Sequence, residues 1–502
     1  MSGNHDAAKV DLGGGSATVD PDLERSQSLL AEGRLTEAIE MLRGVLARDP
    51  GNIGALNNLA NAALASGRID EAITAYQSLL RGVGKPLAYR VASNYLLALQ
   101  YRGGLDDTAL RTIAEEIGRQ MPAPDGSFAP RAGGSPIRIG FVSADLCDHP
   151  VGLFLLPLIR QLDPSQVEIF FYSNGSRVDH TQNQLMGLGQ WREVASLPHA
   201  AVARSIRNDR IDVLFDLSGH TAGNLLPVFA MRAAPVQISW LGYFATTGVP
   251  AMDYVLMDSW HVPDGAEAFF SEKILRLPHA RLCYEPVPFA PVEAASPPCV
   301  QRGYITFGSF NNTSKLNDQV IATWAAVLRG VPGSRLILKW RTFADAALRE
   351  RITKAFGDLG VEPWRLELRG QSFHVDVLRQ YGDVDIALDP FPFTGGHTSC
   401  EALWMGLPVV TLEGTRPVAR QTLCFIHALQ QPQWALDWIA TDTEDYVRKA
   451  CALAADVSRL REVRRTLRGI MRASPLMDAG RFAADFQKLM GQLVTQSQGA
   501  AT

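Results

Sequence analysis

One stretch, residues 385–412, leaves few folds open. It opens on the apolar run Asp385-Ile-Ala-Leu388 and passes through a proline-rich turn into Thr394-Gly395-Gly396-His397-Thr398-Ser399. It closes as a short helical pattern and a second apolar run ending at Leu412. Strand, glycine loop, helix and strand within so short a span make a βαβ unit, and that unit implies a parallel sheet. The glycine loop leads straight into the helix. First-turn N–H groups and two hydroxyls there form a ready anion site.

The remainder of the chain supplies a setting for that unit. At 502 residues it is too long for a single core. Between residues 21 and 120 the pattern is helical and repeats. Ala31-Glu-Gly33-Arg34-Leu35-Thr36-Glu37-Ala38-Ile39 returns 34 positions later as Ala65-Ser-Gly67-Arg68-Ile69-Asp70-Glu71-Ala72-Ile73, with a weaker third copy at Gly103-Gly104-Leu105-Asp106-Asp107. That period, with Gly-Arg at the turn, is the tetratricopeptide helix pair. Two or three such units make a short groove, as compatible with a spacer or homodimer contact as with capture of a protein partner.

From Pro136 strands alternate with helices. Ile137–Ser143, Val167–Ser173, Ile211–Leu217 and Val236–Ser239 read as buried strands, and the first, third and fourth run into polar loops: Ala144–Pro150, Ser218–Thr221, and Trp240-Leu-Gly-Tyr243 leading to Thr246-Thr247. A segment with five prolines, 285–298, separates this block from a second that begins at Tyr304 and includes the loop Asn311-Asn312-Thr313-Ser314-Lys315. The expected layout is a disordered tail over 1–20, repeats over 21–120 and a linker over 121–135. A first doubly wound domain then covers 136–284, a linker 285–302, a second doubly wound domain with terminal helices 303–493, and a tail 494–502. The fold class is therefore α plus α/β: a short helical repeat module followed by two Rossmann-like domains. Ligands in such sheets bind beyond the carboxyl ends of the strands, where these polar loops fall.

Composition excludes several classes. A net charge of −4 without a lysine/arginine block gives no nucleic-acid surface. The six cysteines, at 147, 283, 299, 400, 424 and 451, form no CxxC pair, which argues against zinc and disulfides and suits a reducing compartment. No apolar run reaches the ~18–20 residues of a membrane span and the start is not a signal peptide, so the cytoplasm is the expected location.

Several motifs, taken in order, carry a resemblance. His149-Pro150, Gly219-His220-Thr221, Trp240-Leu-Gly-Tyr243 with Met252-Asp253-Tyr254, the Phe310–Lys315 loop, His374, and Asp389-Pro-Phe-Pro-Phe with Gly396-His397-Thr398, Glu401 and Trp404-Met-Gly406-Leu-Pro408 together resemble the protein O-linked N-acetylglucosamine transferase / SPINDLY family. The resemblance covers about residues 25–490, repeats first. It implies the two-Rossmann glycosyltransferase-B fold, a UDP-sugar donor, transfer with inversion to serine or threonine of a protein, and neither metal nor other cofactor. Lys315 matches the lysine that supports the diphosphate, giving the charge stabilisation a metal would otherwise supply. By the same resemblance Gly396, Thr398 and Ser399 belong to the phosphates, Asn312 lies beside them, and Glu401 meets the ribose hydroxyls. His374 lies in the nucleotide pocket and His397 near the sugar–diphosphate junction. His149 and Asp209 match residues considered for the base, and His220, Tyr243, Thr246 and Thr247 the sugar or acceptor pocket.

Plain structural roles compete with these. Thr398-Ser-Cys-Glu401 has the spacing of a capping box, His149 before Pro150 has the position of a helix cap, and Arg416 and Arg420 either approach the cleft or are simply exposed. Asp383-Val-Asp385 mimics a metal-binding DxD motif but leads into a strand at the wrong place in the fold. Departures from the family pattern are Phe244-Ala245, Gln371 and Val377. They leave GDP-fucose as an alternative donor, and a non-catalytic repeat scaffold with a degenerate nucleotide-sugar sensor as an alternative function. A sugar-nucleotide epimerase, sharing the two-Rossmann fold, is disfavoured by the repeats and the His-Pro and Gly-His-Thr motifs.

Overall fold

The computed structural model describes residues 20–499 other than 83, 126–127, 129–135, 292–295 and 431. Residues 1–19 of the expected tail and much of the expected linker at 121–135 therefore lie outside the described residues. The chain forms two compact units, one of residues 105–285 with 472–499, the other of residues 20–104 with 286–471.

In the second unit the repeats come first: α1 (Pro21–Ala31), α2 (Leu35–Arg48), α3 (Ile53–Ala65), α4 (Ile69–Gly82) and α5 (Lys85–Tyr101). Successive helices pack side by side. Small residues at Ala38, Ala60, Ala63 and Ala72 are fully buried at their seams, as the 34-residue pattern predicts. Gly33 and Gly67 end α1 and α3 in the left-handed region, with φ of +77° and +80°, a conformation that costs glycine nothing. The third repeat is divided. Its second helix, α6 (Asp107–Gly118), belongs to the first unit, where a Cβ on Gly118 would fall 1.9 Å from the Gly248 carbonyl and Arg111 donates to the Ala268 carbonyl at 2.7 Å. The expected module over 21–120 thus ends at Gly104 within the second unit, and α6 packs on the Gly248–Val249 loop of the first.

The first unit carries a wholly parallel sheet of β1 (Ile137–Ser143), β2 (Val167–Ser173), β3 (Gln190–Glu193), β4 (Val213–Asp216), β5 (Val236–Ser239), β6 (Tyr254–Asp258) and β7 (Lys273–Leu277), in the order β3-β2-β1-β4-β5-β6-β7. The second unit carries β8 (Thr306–Ser309), β9 (Arg335–Lys339), β10 (Leu366–Arg369), β11 (Ile386–Leu388), β12 (Val409–Leu412) and β13 (Ile439–Ala440), in the order β10-β9-β8-β11-β12-β13, also parallel. Both follow the doubly wound 3-2-1-4-5-6 order. Each reverses direction between its first and fourth strands, and there the crevice for a ligand opens.

The terminal helix Ala479–Gly499 corrects the expected boundary at 493. It packs on helix Pro150–Gln161 and on β5, within the first unit. Phe486 is fully buried and meets Phe215 and Trp240 at 5.5 and 5.8 Å between ring centroids. These aromatic faces hold the helix against the first sheet, and it continues through the described part of the expected tail.

Candidate active site

The second sheet reverses between β8 and β11, and the loops leaving those strands contain most of the anion-binding candidates. After β8, Asn311 and Asn312 lead into the single turn Thr313–Lys315. After β11, Asp389 to Gly396 lead into helix His397–Trp404. Lys315 Nζ bridges the two loops, donating to Asn311 Oδ1 at 3.1 Å and to the Thr394 carbonyl at 2.8 Å. Its ammonium lies 4.9 Å from the Phe393 ring centre. Thr398 Oγ1 donates to the same Asn311 oxygen at 3.0 Å. A cation and a hydroxyl thus converge on one carboxamide at the start of a helix, where backbone N–H groups also point outward. Burial lowers the Lys315 ammonium to about 8, against an upward pull from Asp389.

Asp389 builds the loop from beneath. Its Oδ1 accepts from Gly395 N at 2.7 Å and its Oδ2 from Thr411 Oγ1 at 2.7 Å, while burial lifts its carboxyl to about 6. Gly395 is obligatory, since a Cβ there would fall 2.1 Å from Ser399 Oγ. Tyr381 stacks on Phe310 at 4.4 Å and donates to the Thr398 carbonyl at 3.2 Å, tying the two loops again.

Glu401 does not cap its own helix. Gly396 occupies the cap position, without a side-chain bond, so the capping-box spacing is not used as one. Glu401 is instead 1 % exposed between two histidines: Oε1 lies 2.5 Å from His374 Nε2 and 3.3 Å from His397 Nδ1. Burial alone would raise this carboxyl, but the His397 charge and the His374 hydrogen bond hold it down at about 2. Glu401 Oε2 and His374 Nδ1 are buried without a hydrogen-bonding partner among the described residues, a rare state in native structures. The Phe289 ring meets His374 edge-on at 5.4 Å.

Two expected positions shift. Asn312 is occupied locally, its Oδ1 accepting from Ser314 N and Oγ, both at 3.1 Å. Its neighbour Asn311 is the residue that joins Lys315 to Thr398, and nothing in the pair Asn-Asn distinguishes them before the turn is folded. Ser399 Oγ is buried and accepts from Thr422 at 2.8 Å, so its side chain faces the core. Phe393 and Asp389 are further contributors that sequence reading gave no individual role, although both stand in the Asp-Pro-Phe-Pro-Phe motif.

Asp383 and Asp385 stand just before β11, at the edge opposite the glycine loop. Asp383 pairs with Arg302 and Arg369, and Asp385 accepts from Cys299 N and Thr306 N at 2.9 and 2.8 Å. Arg416 is buried and donates to the carbonyls of Leu99 and Arg102 at 3.1 and 2.6 Å, capping α5, while Arg420 pairs with Glu413 at 2.8 Å.

In the first unit, His149 follows β1 and Ser218–Thr221 follows β4, so both stand at the corresponding reversal. His149 caps helix Pro150–Gln161: its Nδ1 accepts from Val151 N at 3.3 Å, which leaves the proton of the neutral ring on Nε2. His220 is fully buried, held by the Thr247 carbonyl at 2.8 Å and edge-on to Tyr243 at 5.3 Å. Burial takes its pKa down to about 4. Thr246 and Thr247 turn inward onto Glu272, with hydroxyl-to-carboxylate distances of 2.6 and 2.5 Å. Asp209 does not join this group. It precedes β4, at the amino edge of the sheet, where it pairs with Arg192 at 3.2 Å and accepts from the Tyr172 hydroxyl at 2.8 Å.

A repeat module joined to two parallel doubly wound sheets, the second bearing a lysine, a hydroxyl and a glycine loop at its reversal, defines the class: a repeat protein with paired Rossmann-like sheets and a candidate anion site. Comparison places the chain more closely. The family model for glycosyl transferase family 41 matches residues 126–284 and 299–486, and a tetratricopeptide repeat model matches residues 29–93. The chain belongs to glycosyl transferase family 41. It is 34% identical over 418 residues to the probable UDP-N-acetylglucosamine–peptide N-acetylglucosaminyltransferase SPINDLY of Solanum lycopersicum, a match covering 80% of this chain and 44% of that protein. The corresponding SPINDLY protein of Oryza sativa subsp. japonica is 35% identical over 409 residues, covering 79% and 43%. The chain therefore spans less than half the length of these curated relatives. Among solved structures, a variant of the Thermobaculum terrenum O-GlcNAc transferase superposes with a TM-score of 0.86 at 33% identity, over 96% of this chain and 91% of that one.

Proposed function

We propose that this chain transfers N-acetylglucosamine from UDP-N-acetylglucosamine to serine or threonine of a protein acceptor, with inversion at the sugar and without a metal. The observation that carries this is the convergence of Lys315 and Thr398 on Asn311 at the helix start. As the sugar–phosphate bond breaks, charge gathers on the departing diphosphate, and a fixed ammonium beside helix N–H groups stabilises it. The buried Glu401 with His374 and His397 forms the neighbouring nucleoside end of the site, where Glu401 Oε2 and His374 Nδ1 lack protein partners. The names of the relatives, peptide N-acetylglucosaminyltransferases, supply the substrate classes. Within its own unit His149, with its ring proton on Nε2, offers a hydrogen-bond donor beyond the carboxyl end of β1. The protein works in the cytoplasm; no helix among the described residues is long and apolar enough to cross a membrane.

The test is UDP release and peptide mass gain with UDP-N-acetylglucosamine in the presence of EDTA, with the anomeric configuration of the product read by NMR. Turnover that persists in EDTA and gives the inverted anomer supports the reading. A strict metal requirement or a retained anomer overturns it. GDP-fucose is the alternative donor, kept open by Gln371 and Val377, which depart from the family pattern on either side of His374. A thermal-shift panel of nucleotide sugars separates the two, since the true donor raises the melting temperature most.

A further inference from the structure

The repeat module makes two contacts with the loops that hold Lys315, both inside the second unit. The first joins one turn to another. The turn Ala65-Ser66-Gly67 between α3 and α4 lies against the turn Thr313–Lys315. Thr313 Oγ1 donates to the Ala65 carbonyl at 2.6 Å and lies 2.7 Å from Thr342 Oγ1, and Arg351 donates to the Ser66 carbonyl. A Cβ on Gly67 would stand 2.8 Å from the Leu316 carbonyl oxygen and 2.9 Å from that of Thr313. The second contact acts on the ammonium. Tyr101, the last residue of α5, is buried and stacks on Phe393 with centroids 4.6 Å apart and an interplanar angle of 26°. Phe393 is the ring beside Lys315 Nζ, and the next residue, Thr394, accepts its hydrogen bond. Arg416 fixes the end of α5 from the same side.

We infer that the repeats are a working part of the donor site: Gly67 and Tyr101 are positioning residues that set where the Lys315 ammonium stands. This rests on the reading of Lys315 as the diphosphate lysine, and it gives the repeats a role separate from capturing an acceptor. Packing for stability alone would not need to pass through both the turn and the ring that Lys315 touches. The repeat itself supplies a control. Gly33 is the equivalent of Gly67 one unit earlier, with φ +77° against +80°, yet a Cβ on Gly33 would meet nothing within 4 Å. Gly33→Ala and Gly67→Ala therefore carry the same backbone strain, and only Gly67→Ala displaces the Thr313–Lys315 turn.

The experiment uses the full chain with isotope-labelled, chemically unmodified lysine side chains. NMR of the Lys315 signal, which the Phe393 ring shifts, is combined with calorimetric titration of UDP and, as a second probe, GDP. Gly67→Ala and Tyr101→Leu should move the Lys315 signal and weaken nucleotide binding by about fivefold or more. Gly33→Ala and Tyr101→Phe, which keeps the stacked ring, should match the wild type in both. If Gly67→Ala gives insufficient folded protein, the Tyr101 pair decides. Equal Lys315 signals and equal affinities in Gly67→Ala and Gly33→Ala, or in Tyr101→Leu and Tyr101→Phe, would overturn the inference. Should the wild type bind neither nucleotide while the Lys315 signal moves only in Gly67→Ala and Tyr101→Leu, the positioning stands and the donor reading falls.

Discussion

Replacing Lys315 by methionine should abolish function without harming the fold. The buried ammonium is held at about 8 rather than near 10.5, so keeping it charged costs the folded state on the order of 3 kcal/mol at neutral pH. Methionine keeps the stem against Phe393 and removes the charge. Neither hydrogen-bond acceptor is then orphaned: Asn311 Oδ1 still receives Thr398 Oγ1 at 3.0 Å, and the Thr394 carbonyl still receives Gln421 Nε2 at 3.2 Å. The lost bonds to the ammonium, about 1.5–3 kcal/mol each before desolvation is counted, roughly offset the relieved burial. The unfolding free energy at pH 7 should therefore fall by no more than about 3 kcal/mol. Turnover, measured as UDP release from UDP-N-acetylglucosamine, should fall ~10²-fold or more. A pH series gives the sign independently. Because the folded pKa is depressed, the unfolded chain binds more protons between pH 8 and 10.5, so wild-type stability gains on the variant as pH rises through that window. Wild-type affinity for UDP falls over the same range as the ammonium deprotonates, a limb the variant lacks. Wild-type turnover in the variant, or a loss of more than about 3 kcal/mol in urea unfolding, would refute the reasoning.

Glu401→Gln should remove acid sensitivity. The wild-type carboxylate, held at about 2, contributes stability above its ordinary pKa of 4.5 that is lost as pH falls towards 2, so melting curves from pH 6 to 3 should drop less steeply in the variant from a lower starting point. Asp209→Asn should leave turnover within about twofold of wild type, because its side chain is taken up by Arg192 and Tyr172. A hundredfold loss would restore it as a base candidate. Thr247→Val, which keeps shape and removes the hydroxyl bond to Glu272, should cost about 1–3 kcal/mol by denaturant unfolding; an unchanged midpoint would show that Thr246 and the Thr247 N–H hold that loop alone.

Much of this architecture was legible before folding because each signal was local. The 34-residue spacing named the helix pairs, and a strand followed by a glycine loop and a helix named the parallel sheets. Lys315, His374, His397 and Thr398 emerged from motifs, and the second unit brings them to one sheet edge or the helix beside it. What stayed hidden depends on partners distant in sequence. Asn311 and Asn312 are chemically identical, and only the Thr313–Lys315 turn decides which faces Lys315. Ser399 points inward because Thr422 waits there, and Asp209 misses the crevice because it stands before its strand rather than after it. The helix at 479–499 looked like a cap for the nearest sheet in sequence, and only the buried faces of Phe215 and Trp240 reassign it.

That reassignment bears on how the molecule is made. Neither unit is a continuous stretch of chain. The repeats wait for residues 286–471 to complete the second unit, and the first sheet waits for 472–499. During synthesis, when domains ordinarily fold from the amino end as they emerge, the first sheet leaves the ribosome with Phe215 and Trp240 uncovered. It stays so until Phe486 has been translated. Stalling or truncation shortly before the final helix would therefore expose the early-made half of the protein to aggregation and proteolysis.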